Sequence, residues 1–299
     1  MWLLVDWGTS NVRLWTVDKD QVCLQHESQN GVGQLRRRES QLNFLRDLVS
    51  ALPETPDTIF AIGMAGSTLG PFQTTFSATP TSLTDLLNTA QTFDLGLANN
   101  TSLPVLVTNG LKGTETPPDV MRGEELQSLA IGVSNGYVLC PGTHSKLVKI
   151  QQSRIVDFST YMTGELFQVL KQAPALSNFF HEDSSEDSSY WFEKGLELRD
   201  LPFASALFNI RRWGLNLPSF GGASHLLSGL LIGHELVDMR QKLAGTPIHL
   251  LADGTLAERY SIALGHIGMP YSCYSVTSAI AELTRQIDKW MESNDKISN

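Results

Sequence analysis

The chain has 299 residues, a formal net charge of −9 and 41% hydrophobic residues, enough for one large or two ordinary domains around a substantial core and too apolar for wholesale disorder. That acidic balance argues against nucleic acid or an anionic membrane as partner, since both reward clustered Lys and Arg, and the one basic run, Arg36-Arg37-Arg38, is followed by Glu39 as on a solvated surface. No stretch approaches the roughly 18 to 20 apolar residues that span a bilayer, no basic secretory start is present, and Cys23, Cys140 and Cys273 are too few and scattered for a disulfide framework or zinc site; a cytoplasmic protein is expected.

Residues 2–28 read as a meander of three short strands, with Asp18-Lys19-Asp20 as the second turn. The first strand ends at Asp6 and runs into Gly8-Thr9-Ser10-Asn11, a small hydroxyl-bearing turn, and the next strand carries Arg13. A carboxylate there suits Mg²⁺ held through water, and the glycine lets backbone amides approach a phosphate. Asp-x-Gly-Thr is also what an ordinary strand end looks like, because turns need those residues.

Leu42, Leu45, Leu48 and Val49 predict a helix over residues 41–52, closed by Pro53. A buried strand over 58–62 then enters Gly63-Met64-Ala65-Gly66-Ser67, read either as a close-approach loop or as a tight strand-to-helix turn. Residues 71–100 give weak signals, with a helix over 82–91. Pro104 to Thr108 is a strand, and residues 109–118, rich in Gly, Thr and Pro, form a loop that marks the expected domain boundary, giving domains 1–118 and 119–299. A helix follows over 123–131.

The opening then repeats in part. Gly136 to Cys140 is an apolar strand, Pro141-Gly142-Thr143-His144-Ser145-Lys146 a small polar turn, and two further strands over 147–150 and 154–158 complete a second meander. Two strand and Gly-Thr-turn units suggest two related domains facing one cleft. Helices are expected over 163–171, 202–212 and 224–243, with a solvated acidic loop over 181–189. In the last of these helices Gly229 and Gly233 leave room for a close neighbour, from its own domain or from a second subunit in a homodimer. A strand over 247–252 delivers Asp253-Gly254-Thr255 to a helix, and a final strand and helix follow over 271–276 and 279–291.

The whole chain resembles the 2-dehydro-3-deoxygalactonokinase family, within the superfamily of sugar kinases, actin and heat-shock chaperone ATPases. The resemblance rests on Asp6-Trp-Gly-Thr-Ser-Asn-Val-Arg-Leu-Trp15, Met64-Ala-Gly-Ser67, Met121-Arg-Gly-Glu-Glu125, Pro141-Gly-Thr-His-Ser-Lys146, Thr163-Gly-Glu-Leu166, Leu227-Ser-Gly-Leu-Leu-Ile-Gly233 and Arg259-Tyr260. It implies an α/β fold of two related actin-like, ribonuclease H-like ATPase domains with a cleft between them. It further implies transfer of the γ-phosphoryl of ATP, with Mg²⁺, to the 6-hydroxyl of a 2-keto-3-deoxy sugar acid in galactonate breakdown. A catalytically impaired nucleotide sensor of the same fold, and a kinase for another small sugar, are the alternatives.

Roles carry over residue by residue. Asp6 would hold the metal; Gly8, Thr9, Ser10, Asn11 and Arg13 would line one side of the phosphates, and Gly142, Thr143 and Lys146 the other, with Gly254 near the adenine. In glycerol-kinase-like relatives a Gly-Asp-Gln supplies the base, and Gly123-Glu124-Glu125 stands at that place, so Glu124 is the expected catalytic residue and Glu125 the reserve. Arg122, whose planar guanidinium matches a carboxylate, Ser67 and His144 would face the substrate. Ala252-Asp253-Gly254-Thr255 departs from the family's small-Gly-Ser or small-Gly-Gly pattern and places an acid where adenine or ribose should pass.

Overall fold

The protein's structure, a computed structural model, describes residues 1–18, 21–98, 101–180, 188–217, 220–243 and 245–294. The N-terminal meander forms as its alternation predicts: β1 (Trp2–Trp7), β2 (Val12–Asp18) and β3 (Gln21–Ser28). β1 lies antiparallel to β2, with Asp6 opposite Arg13. Its continuous apolar run is explained by burial on both faces: Leu3, Val5 and Trp7 join one core, and Leu4 on the opposite face is also buried.

Helix α1 (Arg38–Ser50) covers that core with Leu42, Leu45 and Val49, spaced for one helical face. β4 (Ile59–Gly63) then pairs parallel to β1 and ends in a single 3₁₀ turn, Met64–Gly66. β5 (Phe76–Ala78), α2 (Leu83–Leu87), β6 (Gln91–Asp94), β7 (Pro104–Val107), β8 (Gly110–Lys112) and β9 (Val120–Met121) follow. α2 begins at a reciprocal cap between Ser82 and Asp85 and ends at Leu87, short of the predicted 82–91, where a turn at residues 88–89 leads to β6 at Gln91.

The predicted loop over 109–118 is corrected at its start. β8 pairs parallel with β5 and antiparallel with β9, making a small three-stranded sheet. Strands of two or three residues carry too little alternation to be read, and their pairing is decided by partners distant in the chain.

β10 (Gly136–Cys140), β11 (Ser145–Gln151) and β12 (Arg154–Tyr161) form the second meander. After α3 (Glu124–Ala130), which precedes them, come α4 (Thr163–Lys171), α5 (Ser188–Glu197), α6 (Phe203–Asn216), α7 (Ala223–Leu243), β13 (Ile248–Leu251), α8 (Gly254–His266), β14 (Tyr271–Tyr274) and α9 (Val276–Asn294). α5 went unread in the sequence, and residues 181–187 of the expected acidic loop lie outside the described residues. The two large sheets run β3-β2-β1-β4-β7-β6 and β12-β11-β10-β13-β14. Each places the first strand of a meander centrally and adds the next strand parallel to it, so the echo in sequence is an echo in topology.

By its contacts the chain divides into two compact units, 1–135 with 148–158 and 276–299, and 136–147 with 159–275. The sequence pattern alone places a single boundary after residue 118. In the first unit α3 packs on α9, and α9 is anchored by Trp2 Nε1 donating to Asp288 Oδ1 at 2.6 Å and Trp290 Nε1 donating to Asn88 Oδ1 at 3.0 Å. These contacts tie residues 119–135 and the C-terminal helix to the N-terminal sheet. In the second unit the glycines of α7 face α5: a Cβ on Gly229 would lie 2.0 Å from Phe192 O, and one on Gly195 2.2 Å from Leu226 O. The close neighbour that Gly229 demands is therefore α5 of the same unit.

Candidate active site

The first Gly-Thr turn is built from backbone. Gly8 N donates to Asn11 O at 2.8 Å, and residues 31–33 bind the turn from outside through Gly31 N to Ser10 O, Val32 N to Gly8 O and Gly33 N to Thr9 O, all between 3.0 and 3.1 Å. Gly31 permits this approach, since a Cβ there would lie 2.3 Å from Thr9 O. No side chain of the turn takes part in these bonds. Thr9, Ser10 and Asn11 stay partly or fully exposed, and Arg13 is paired with Glu27 at 2.8 Å.

Asp6 sits at the C-terminal end of β1, beside β4. Its carboxyl is pushed up to about 6 by burial, against the pull of Arg13, with Glu124 pushing it further and Gln127 opposing. Gln127 Nε2 donates to Asp6 Oδ2 at 3.2 Å. α3 can come this close because two glycines meet backbone to backbone: Gly63 and Gly123 both have positive φ, 72° and 113°, and a Cβ on Gly123 would lie 2.9 Å from Gly63 Cα. The structure thus brings together Asp6, Glu124 and Gln127. Gln127 was missed in the sequence, although its place one turn after Glu124 on the same helix was a readable signal.

The two glutamates at the start of α3 separate in role. Glu125 is buried, accepts Gly123 N at 2.6 Å, and is pushed up to about 7 by burial and by Glu124 beside it. Glu124 is half-exposed and is the one whose charge reaches Asp6. Arg122 is fixed by neutral acceptors: Nη1 donates to Thr74 Oγ1 at 2.7 Å, Nη2 to Thr74 O at 3.2 Å and Thr75 O at 3.0 Å, and the guanidinium lies 4.6 Å from the Phe76 ring centre. Ser67 Oγ donates to Met64 O at 2.8 Å and accepts Leu69 N at 3.1 Å, so its hydroxyl is engaged in its own turn.

The second turn lies in the second unit and is held differently. Thr143 O accepts Glu165 N at 2.9 Å, the His144 ring bonds Glu165 Oε2, and Lys146, buried rather than exposed, donates from Nζ to His144 O at 3.0 Å. Gly164 brings α4 against the turn, as a Cβ there would lie 2.3 Å from Gly142 O. Gly142 itself has open space where a Cβ would go. Gly254 opens α8 with φ 56°, and Asp253 before it makes no side-chain cap to that helix.

This repeated sheet, with a carboxylate at the end of its first central strand, is the actin-like ATPase and sugar-kinase fold. The activator of the 2-hydroxyisocaproyl-CoA dehydratase from Clostridium difficile, solved with bound ADPNP, shares that fold at a TM-score of 0.51 over 99% of this chain and 98% of that one, at 11% identity. A crystal structure from Sinorhizobium meliloti assigned as a 2-dehydro-3-deoxygalactonokinase superposes with a TM-score of 0.83 over 95% of both chains, at 29% identity.

The family model of 2-keto-3-deoxy-galactonokinase matches residues 6–286, and the chain belongs to that family. Relatives include a probable 2-dehydro-3-deoxygalactonokinase from Rhizobium meliloti, 31% identical over 92% of both chains, and the 2-dehydro-3-deoxygalactonokinase of Escherichia coli, 30% identical over 96% of this chain and 97% of that one. The chain is accordingly a kinase with ATP as phosphoryl donor. No helix of the described residues is long and apolar enough to cross a membrane.

Proposed function

We propose that the protein transfers the γ-phosphoryl of ATP to the 6-hydroxyl of 2-dehydro-3-deoxy-galactonate, in the cytoplasm where galactonate is broken down. The observation that carries the reading is the grouping of Asp6, Glu124 and Gln127 at the end of β1, within a chain that matches the family from residue 6 to residue 286. Phosphoryl transfer asks mainly for positioning and charge neutralisation, with little covalent work for the protein.

Glu124 accepts the proton of the attacking hydroxyl, since it is half-exposed while Glu125 is buried and bonded to Gly123 N. Thr9, Ser10, Asn11 and Arg13 act on the phosphates through the turn that begins at Gly8, and Gly142, Thr143 and Lys146 act on them from the second turn. Gly254 leaves open space for the adenine. Arg122, oriented by neutral acceptors that leave its charge intact, draws the sugar-acid carboxylate, with Ser67 and His144 beside the substrate.

Asp6 fits Mg²⁺. Burial and Glu124 disfavour its charged form, a cost that a nearby cation relieves, and no group of three or more His, Cys, Asp or Glu among the described residues forms a metal cage. Asp6 would be the protein group that holds the ion, since Mg²⁺ is usually bound through one or two carboxylates rather than an all-protein cage. When bound, it neutralises charge on the phosphate oxygens.

Coupled ADP release, measured with ATP, Mg²⁺ and a panel of 2-keto-3-deoxy sugar acids, tests the reading. Turnover should appear only with a sugar acid, and strongest with the galactonate derivative. Silence across the whole panel would end this reading, and ATP binding without sugar-acid binding would favour the nucleotide sensor.

A further inference from the structure

Two motifs find no place in the roles above: Thr163-Gly164-Glu165 and Arg259-Tyr260. In the structure both lead to one side chain. Glu235, in the buried part of α7, is 4% exposed. Its Oε2 accepts the hydroxyl of Thr163, the first residue of α4, and the hydroxyl of Tyr260 from α8 at 2.8 Å. Tyr260 OH lies in turn 3.1 Å from Ser145 Oγ, the first residue of β11. Its other oxygen, Oε1, is buried and has no hydrogen-bond partner among the described residues.

The network encloses the second Gly-Thr turn on both flanks. Ser145 is where the turn becomes strand, and Thr163 precedes Gly164 and Glu165, the residues that pack on Gly142 and bond Thr143 and His144. We infer that Glu235 is a positioning residue for ATP: through Thr163 and Tyr260 it sets the shape in which the turn over 141–145 presents its backbone to the phosphates. This deepens the proposed function and rests on that turn binding ATP. Burial pushes the Glu235 carboxyl up to about 7, against the bonds from Thr163 and Tyr260. A neutral group suits the role, because what the network needs from Glu235 is one acceptor for two hydroxyls.

The requirement is specific enough to separate shape from charge. In Glu235→Gln the amide oxygen can take both hydroxyl bonds, and the NH₂ occupies the place of Oε1, where no bond is lost. In Tyr260→Phe the ring and its packing remain while the link from Glu235 to Ser145 is gone. In Glu235→Met neither hydroxyl has its acceptor.

ATP affinity of the full chain, measured by calorimetry with Mg·ATP and no sugar acid, is the readout. Glu235→Gln should stay within about threefold of wild type, and Tyr260→Phe should weaken ATP binding about tenfold, the effect of a network hydrogen bond lost at an unmoved site. In steady state Tyr260→Phe should raise KM for ATP and leave KM for the sugar acid within twofold. Glu235→Met should be at least as impaired as Tyr260→Phe; if it fails to fold, Tyr260→Phe decides. Unchanged ATP affinity in folded Tyr260→Phe, or a Gln variant as weak as that one, would overturn the inference. The two failures are distinguishable: a wild type that binds ATP and phosphorylates no sugar acid sinks the proposed substrate and leaves this comparison intact.

Discussion

The first and second Gly-Thr turns share a sequence pattern and differ in what holds them. Residues 8–11 are bound by main-chain bonds from residues 31–33, and none of those bonds uses a side chain of the turn. Residues 141–144 take a main-chain bond from Glu165 and are held by side chains as well: the His144 and Glu165 pair, the Lys146 ammonium, and the hydroxyls gathered on Glu235 beside them. Equal motifs therefore predict unequal tolerance. The first turn should be sensitive to glycine substitution in the segment that binds it, and the second to polar substitutions well away from it in sequence.

The largest effect is expected beside the first turn. Glu124→Gln should lower kcat by roughly 10² to 10⁴, the usual loss for a general base, with KM for both substrates little changed. Steady-state kinetics check it, and near wild-type turnover would remove Glu124 from catalysis. Glu125 is a poor substitute, because its carboxylate is buried against Gly123 N.

Gly31→Ala comes next. Its Cβ would lie 2.3 Å from Thr9 O and 2.5 Å from Ser10 C, main-chain atoms rather than the end of a flexible side chain. Relief must come from moving the 31–33 segment or the turn itself, at a stability cost of about 1–3 kcal/mol by the measure of overpacked cores. Urea unfolding reads the stability, and KM for ATP should rise with it. A variant as stable as wild type and with unchanged ATP kinetics would show that the first turn does not depend on this brace.

Much of this architecture was legible in the sequence, and the reason differs from element to element. The two meanders were readable because their strands are apolar and end in turn residues, and α7 because its leucines keep helical spacing over 21 residues. β5, β8 and β9 were not, being two or three residues long and dependent on pairing across the chain. Nor could a linear reading see α9 return to the N-terminal sheet, since Trp2 and Asp288 meet 286 positions apart. At the candidate site the motifs pointed to Asp6 and Glu124, while Glu235 escaped notice despite a signal in plain view: a carboxylate set among Leu230, Leu231, Ile232 and Leu236 on a buried helix.

A smaller effect separates the units by pH. Glu125 in the first unit and Glu235 in the second are each pushed up to about 7 from an ordinary 4.5, chiefly by burial. The folded state thus holds these protons more tightly than the unfolded chain does. Their contribution to stability is complete below about pH 4.5 and disappears as pH rises through 7. Asp6, pushed up to about 6, acts in the same direction. Asp85 and Asp238 are held low by their hydrogen bonds, so they act with opposite sign and only in stronger acid. His234 and His249, whose charged form burial disfavours, oppose this below their ordinary 6.5, so the melting temperature should fall most clearly between about pH 6.5 and pH 8, and Glu125→Gln and Glu235→Gln should each flatten part of that slope, since an amide does not ionise. A melting temperature that rises over the same range would show that these carboxyls are not buried as described.

The smallest structural effect, and the sharpest contrast with Gly31, is expected at Gly142. No atom lies within 4 Å of where its Cβ would be, and its φ is outside the left-handed range, so alanine fits without moving anything. Stability should change by less than about 0.5 kcal/mol, as for other substitutions that touch nothing. If the turn presents its backbone to phosphate, however, that open space is where the ligand approaches, and a methyl group there meets ATP instead of protein. Gly142→Ala should then raise KM for ATP several-fold, leave KM for the sugar acid and the melting temperature unchanged, and separate binding from folding in a way Gly31→Ala cannot. An alanine variant with wild-type ATP kinetics would move the phosphates away from the second turn and leave the first as their holder.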